Sequence, residues 1–393
     1  MKIEKINSYL ARDQFIVEVI TDKNISGVGQ SACWAYPEAV KAVVERFDDL
    51  LIGRDPFKIE DINQLLMRCG PFRGSVLSGA ISCIDIALWD IKAKFFETPI
   101  WNLLGGKVRN KIRLHLLLGI MPGNSKSKNE GLYENARKAV NDGFTALKID
   151  PLPDNYYDLS LDQLIKETTE TISALREGAG NEVDIILEIH RKLTPMTSIH
   201  LANSIEKFNP MFFEDPIQID SIISQSEIAK KVSIPVANGE RMHSIWEFRE
   251  LLNNGGPQYV RPDVGLAGGI TQTKKIAAIA ESYHSALVTH NFLGPILTAA
   301  SIHIDASIPN FITQEFSLDD EKEKKNYLIS SLKREGGYIL TPDKPGLGVE
   351  IDKEKIKSVP YEPLNLNNQV PYLSLIHISE PTRQAEISYA VFC

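Results

Sequence analysis

The sequence predicts an α/β protein: a barrel of parallel strands and helices, preceded by a mixed α+β domain. Three observations point there. From about Lys111 onward, short apolar runs alternate with helix-like segments, the signal for parallel βα units. Seven of those runs finish with an ionisable side chain, and a parallel barrel brings all such ends onto the one face where its catalytic residues gather. Residues 1–111 follow a different rule, strand-like alternation and then three helical segments.

Residues 1–31 alternate apolar with polar as KIEKINSYL, FIVEVIT and ISGVGQS around a turn at Asp22–Asn24, which predicts a small antiparallel sheet with one buried face. Trp34 and Tyr36 follow in the loop ACWAYPEA; plain packing is their expected role, a substrate lid the alternative. Helical periodicity then runs over 37–51, 57–67 and 79–96, and this domain closes near residue 111. Eight barrel strands are expected at 112–119, 146–150, 184–190, 211–216, 234–240, 259–264, 286–291 and 311–316, within a barrel domain spanning 112–317. The stretches between them, such as 160–179 and 269–284, carry apolar stripes at helical spacing and form the outer ring. After Phe316 the charged run SLDDEKEKKNY breaks the period, and residues 318–372, turn-rich with one possible strand, are expected to pack back on the first domain. Residues 373–393 fit nothing before them and are set aside as a non-native or disordered tail.

Composition narrows the function. With 43% hydrophobic and 24% charged residues, the 393-residue chain reads as a soluble globular enzyme of two or three domains. A net charge of −8 without a basic stripe argues against nucleic acid and against an anionic membrane surface as partners. No apolar run approaches the ~20 residues that span a bilayer, and the start lacks a signal-peptide core. Cys33, Cys69, Cys83 and Cys393 show no metal-binding spacing, so reduced thiols in a cytoplasm are expected and zinc is not.

The strongest chemical signal is a trio of acids. Glu188 in DIILEIH, Glu214 in MFFEDP and Glu240 in PVANGE sit at equal intervals, 214 − 188 = 26 and 240 − 214 = 26, one strand plus one helix plus two connections. A charge closing a buried apolar strand costs several kcal/mol unless it is paired, roughly 2–7 kcal/mol even for a neutral polar group. Three hard oxygen ligands converging from neighbouring strands suit Mg²⁺. His190 follows Glu188 by two residues, which on a continuing strand would share its face and point into the same mouth.

The segments ALKID, LEIH, FFEDP, NGER, RPDVGLAGGIT, THNFLGP and KPGLGVEID carry a resemblance. From Lys2 to about Asp352 the chain resembles the enolase superfamily, mandelate racemase/muconate lactonizing type, and within it the galactonate and gluconate (sugar-acid) dehydratases. The resemblance implies a capping α+β domain over a modified TIM barrel, (β/α)₇β, whose first strand differs in detail. It implies one Mg²⁺ per subunit held by Glu188, Glu214 and Glu240, abstraction of the proton α to a carboxylate, and a homo-oligomer. An ene-diolate forms in that step, and superfamily members pair a Lys or His base with Mg²⁺ to stabilise it.

Where the family has KxK, this chain has Lys148 and Asp150, so the second, basic lysine is replaced by an acid and the base must be a histidine. His290, with Asp263 to fix its tautomer, takes that role; His190 is the acid for the departing 3-hydroxyl. Glu315 is expected to hydrogen-bond a carboxylate oxygen of the intermediate, and Lys148 and Asp150 to contact substrate. His115, His200, His243, His284, His303 and His377 are left without a role. Two further departures matter: Glu188 stands where many members have Asp, and Arg191–Lys192 stand where Gly-Arg is usual. The implied reaction is dehydration of an aldonate, D-galactonate or D-gluconate, to a 2-keto-3-deoxy acid. Dehydration of mannonate, xylonate or arabinonate, an epimerase or cycloisomerase, and a non-catalytic sugar-acid-binding paralogue remain the alternatives.

Overall fold

The structure, a computed structural model, describes residues 1–119, 127–322 and 326–364. The tail set aside at 373–393, with His377 and Cys393, lies outside the described residues, as do residues 365–372.

The capping domain begins with an antiparallel sheet of β1 (Ile3–Ala11), β2 (Gln14–Thr21) and β3 (Ser26–Gln30), in that spatial order. The helices α1 (Pro37–Arg46), α2 (Asp48–Leu51), α3 (Ile59–Arg68), α4 (Ser75–Phe95) and α5 (Ile100–Leu103) follow. The single helix expected over 37–51 is thus broken at Phe47, whose ring is buried at the junction. The last long helix starts at Ser75 rather than at Gly79, directly after Gly74 at φ 123°, a conformation open chiefly to glycine. The α4 backbone lies directly on β3. A Cβ on Gly29 would stand 1.9 Å from the Cys83 carbonyl oxygen, so only glycine permits that approach.

The barrel alternates strand and helix: β4 (Lys111–Leu117), α6 (Lys128–Asn141), β5 (Ala146–Ile149), α7 (Leu161–Ala179), β6 (Asp184–Glu188), α8 (Pro195–Ile205), β7 (Phe212–Glu214) and α9 (Ile222–Lys231). It continues with β8 (Val236–Asn238), α10 (Ile245–Asn253), β9 (Tyr259–Val260), α11 (Gly269–Ser282), β10 (Ala286–Leu287), α12 (Pro295–Ser307) and β11 (Gln314–Phe316). Neighbouring strands from β4 through β10 pair in parallel, and β11 pairs in parallel with β4. The ring closes through Leu287, whose N–H donates to Asn310 O at 2.8 Å and whose carbonyl accepts from Ile312 N at 3.2 Å. Eight strands alternate with seven helices, the (β/α)₇β pattern. Strands such as β6 read as continuous apolar runs because a parallel barrel buries both their faces. Five successive outer helices, α6 to α10, begin on a Ser or Thr cap: Ser127, Ser160, Thr194, Ser221 and Ser244 each accept a first-turn N–H.

Beyond Phe316 the described residues hold four short strands rather than one: β12 (Leu328–Ser330), β13 (Arg334–Glu335), β14 (Tyr338–Leu340) and β15 (Glu350–Ile351), then α13 (Lys353–Ser358). The β13–β14 hairpin adds antiparallel to β4, the detail in which the first barrel strand differs from the others. The segment also returns to the cap, where Lys353 Nζ pairs with buried Glu18 at 2.6 Å and Tyr327 OH donates to Gln14 Oε1 at 2.7 Å. Among the described residues no helix is long and apolar enough to cross a membrane.

Candidate active site

Parallel register sets Glu188 directly beside Glu214, and β8 delivers Glu240 to the same place. One carboxylate oxygen of each lies within 4.8 Å of the others, and all three side chains are buried. Such crowding of charge is tolerable only with cations around it. Lys148 Nζ lies 2.9 Å from Glu188, 3.0 Å from Glu214 and 2.9 Å from Glu315. Arg261, fully buried, pairs with Glu214 and, at 2.6 Å, with Glu315; Arg191 and Arg241 reach Glu240 at 2.5 and 3.2 Å. Burial drives Glu214 well above the usual carboxylate range despite Arg261. Burial also opposes charge on Glu188 and Glu240, but Lys148 and His190 hold the first at about 2, and His290, Arg191 and Arg241 hold the second well below its ordinary value. The donor set fits a hard divalent cation: three converging carboxylates, with Glu214 Oε2 buried and lacking any hydrogen-bond partner.

Two histidines flank this cluster, each with its own carboxylate. His290 Nδ1 lies 2.6 Å from Asp263 Oδ2, which leaves Nε2 facing Glu240 Oε2 at 3.4 Å and Glu315 Oε2 at 3.8 Å. Asp263 is oriented in turn by the Gly265 N–H, 2.7 Å from Oδ1. Both residues sit past the short strands β9 and β10, joined by a parallel bridge. His190 Nδ1 lies 2.7 Å from Asp150 Oδ2, and Lys192 Nζ holds that same oxygen at 2.5 Å. Against the cost of partial burial, Glu188 and Asp150 raise the basicity of His190. An imidazole whose other nitrogen is fixed by a carboxylate can take or give a proton at a defined atom.

Residues 131–355 match the family described as enolase C-terminal domain-like, and residues 7–105 match the mandelate racemase / muconate lactonizing enzyme N-terminal domain. This chain belongs to the enolase superfamily. Among solved structures, a Salmonella enterica serovar Typhimurium protein provisionally named a dehydratase is 32% identical over 91% of this chain and 98% of that one, with a TM-score of 0.86. A mandelate racemase/muconate lactonizing enzyme from Sulfitobacter sp. is 30% identical over 92% and 96%, with a TM-score of 0.84. An Agrobacterium radiobacter enolase, provisionally named a galactarate dehydratase and bound to Na and L-malate, is 26% identical over 92% and 96%, with a TM-score of 0.85.

Within this superfamily member, several expected placements change. His190 does not share a strand face with Glu188, because β6 ends at Glu188; His190 reaches the mouth through a turn at φ 53°, its N–H donating to Glu188 Oε1 at 2.8 Å. Lys148 was expected to face a substrate carboxylate, yet its three donors are directed at Glu188, Glu214 and Glu315, and it is 2% exposed. Asp150 Oδ2 is engaged by both His190 and Lys192. Burial opposes charge on Glu315, but Lys148 and Arg261, both in contact with it, hold it far below the ordinary range.

Arg261 and Asp215 were not singled out from the sequence, and Arg191 was noted there only as a departure from the usual Gly-Arg; all three join the ion-pair network of the site. A signal for Arg261 existed: it is two residues before Asp263 in a buried apolar run, the alternation that points both side chains inward. Trp34 packs edge-on against Phe292 at 6.1 Å and under Arg241 at 5.4 Å, while Tyr36 is 52% exposed. His115 and His303 are buried, and burial lowers both, His303 to about 4. His243 meets Ser75 Oγ at 2.8 Å, and His200 and His284 lie at the surface.

Proposed function

We propose that this chain is a Mg²⁺-dependent aldonate dehydratase, with D-galactonate or D-gluconate the leading substrates and a 2-keto-3-deoxy acid the product. The observation that carries the reading is the pair of carboxylate-backed histidines, on separate βα loops, around one cluster of three buried glutamates. Membership in the superfamily and the dehydratase naming of its relatives support it.

Glu188, Glu214 and Glu240 would hold the cation, which when bound supplies Lewis-acid stabilisation of negative charge on the substrate carboxylate. His290 Nε2 takes the C2 proton, and Asp263 keeps the other ring nitrogen protonated and stabilises the resulting imidazolium. His190, steadied by Asp150, gives a proton to the departing 3-hydroxyl, since hydroxide leaves poorly without one. Lys148 and Arg261 hold Glu188, Glu214 and Glu315 in place by ion pairing. An acid at Asp150, where a second base would be needed to deprotonate the opposite face, favours elimination over racemisation.

The test is a screen of aldonates with Mg²⁺ for 2-keto-3-deoxy products, repeated with Glu214→Gln. Turnover of an aldonate by the wild type, with metal binding and activity lost together in the variant, is the expected result. Mg²⁺-dependent turnover surviving in Glu214→Gln overturns the metal assignment; silence across all aldonates overturns the reaction.

A further inference from the structure

We propose that Arg191 is a built-in competitor for the metal site, a residue that weakens and tunes divalent-cation binding by holding Glu240. The inference rests on the reading of Glu188, Glu214 and Glu240 as metal ligands, and goes beyond it by assigning a role to a side chain outside the ligand set.

The backbone supplies the first observation. His190 and Arg191 are consecutive residues in the left-handed region, at φ 53° and 64°, and Asp215 against them lies at φ 38°. Glycine adopts that conformation freely and arginine does not, so a long side chain retained there points to a role for the side chain. Its backbone is fixed as well, with Arg191 N–H donating to Asp215 O at 2.7 Å.

The second observation is where the guanidinium goes. Only 14% exposed, it donates to Glu240 Oε1 at 2.5 Å and to Asp215 Oδ2 at 3.0 Å, and Arg241 Nε approaches the same Glu240 oxygen at 3.2 Å. Glu240 Oε1 is therefore bound from two sides by arginines. A divalent cation approaching this carboxylate meets a like charge paired to the same group and finds one of its two oxygens already engaged. Both effects reduce affinity, and in a buried site neither is screened as it would be in water. Lys148 also bears on the cluster, but it touches three carboxylates at once and anchors them; Arg191 acts on one ligand from the rim.

Arg191→Gly suits the local backbone, so the fold survives the substitution; Arg191→Gln keeps reach without charge, and Arg191→Lys keeps charge without the fork. Calorimetric titration of each protein with Mg²⁺ and with Mn²⁺ gives the dissociation constants, and thermal melts with and without cation give an independent readout. Removing the charge should tighten binding roughly tenfold or more and enlarge the cation-dependent rise in melting temperature, as expected when a like charge leaves a buried ion site. Arg191→Lys should stay near the wild type. Unchanged or weaker binding in both Arg191→Gly and Arg191→Gln, while the wild type binds, overturns the proposal and leaves the ligand set standing. Loss of binding in every protein, the wild type included, overturns the ligand set itself.

Discussion

Asp263→Asn tests how the base is controlled, because the substitution has a forced outcome in this geometry. The Gly265 N–H donates to Asp263 Oδ1 at 2.7 Å, so an asparagine keeps its carbonyl oxygen there and turns its amide nitrogen toward His290. That nitrogen donates, so His290 Nδ1 becomes an acceptor and the ring proton moves to Nε2, the atom that must receive the C2 proton. The ring stays in place in the wrong tautomer. The imidazolium also loses its counter-charge: a unit charge about 4–5 Å away at an effective dielectric near 20 is worth about 3–4 kcal/mol. That alone is roughly 10²–10³ in rate, and the tautomer error extends it toward 10⁴. The assay follows exchange of the C2 proton of the accepted aldonate in D₂O by NMR, beside product formation, with Mg²⁺ titration as a control for the site. Exchange within tenfold of wild type at intact metal binding would refute the assignment of His290 as the base under Asp263.

His190→Asn should separate two steps, with C2 exchange persisting while formation of the 2-keto-3-deoxy product falls by roughly 10²–10⁴, the worth of a positioned acid; equal loss of both in the NMR experiment rejects the division. A further prediction concerns stability. Asp85, buried between the cap and the first turn of α11, accepts from Thr271 N at 3.0 Å and Asn63 Nδ2 at 3.3 Å, and burial raises it from 3.8 to about 7. The folded state then keeps a proton that the unfolded chain releases, so this stabilising contribution is full below about pH 4 and is lost as pH rises through 7. At most about 4 kcal/mol is involved. Urea midpoints between pH 4.5 and 7.5 should fall for the wild type and flatten in Asp85→Asn; parallel slopes would reject the linkage.

The barrel and its acidic mouth were legible because both follow from local repetition. Glu188, Glu214 and Glu240 recur with the βα period, and parallel pairing turns that period into side-by-side placement. His290 with Asp263 was legible for the same reason. What could not be read depends on where long side chains end. Lys148 lies on a strand face that admits either the mouth or the barrel interior, and only the three glutamates surrounding it decide between them. Arg261 was passed over because a buried arginine is stable only when carboxylates on other strands meet it, a fact of the closed ring. The hairpin of β13 and β14 was hidden for another reason: its strands are only two and three residues long, too short to show a period.

The contacts that bring residues 327–361 back onto the first sheet impose an order on biosynthesis. Tyr327 reaches Gln14 across 313 residues of chain, and Lys353 supplies the partner of a glutamate buried in β2. While the ribosome is still making the barrel, that sheet has neither its hydroxyl donor nor its counter-charge, and Glu18 has only Asn7 and Tyr9 for company. The cap sheet is therefore completed only after the barrel has been made. A chain that stops short of Lys353 leaves Glu18, buried in β2, without its cation.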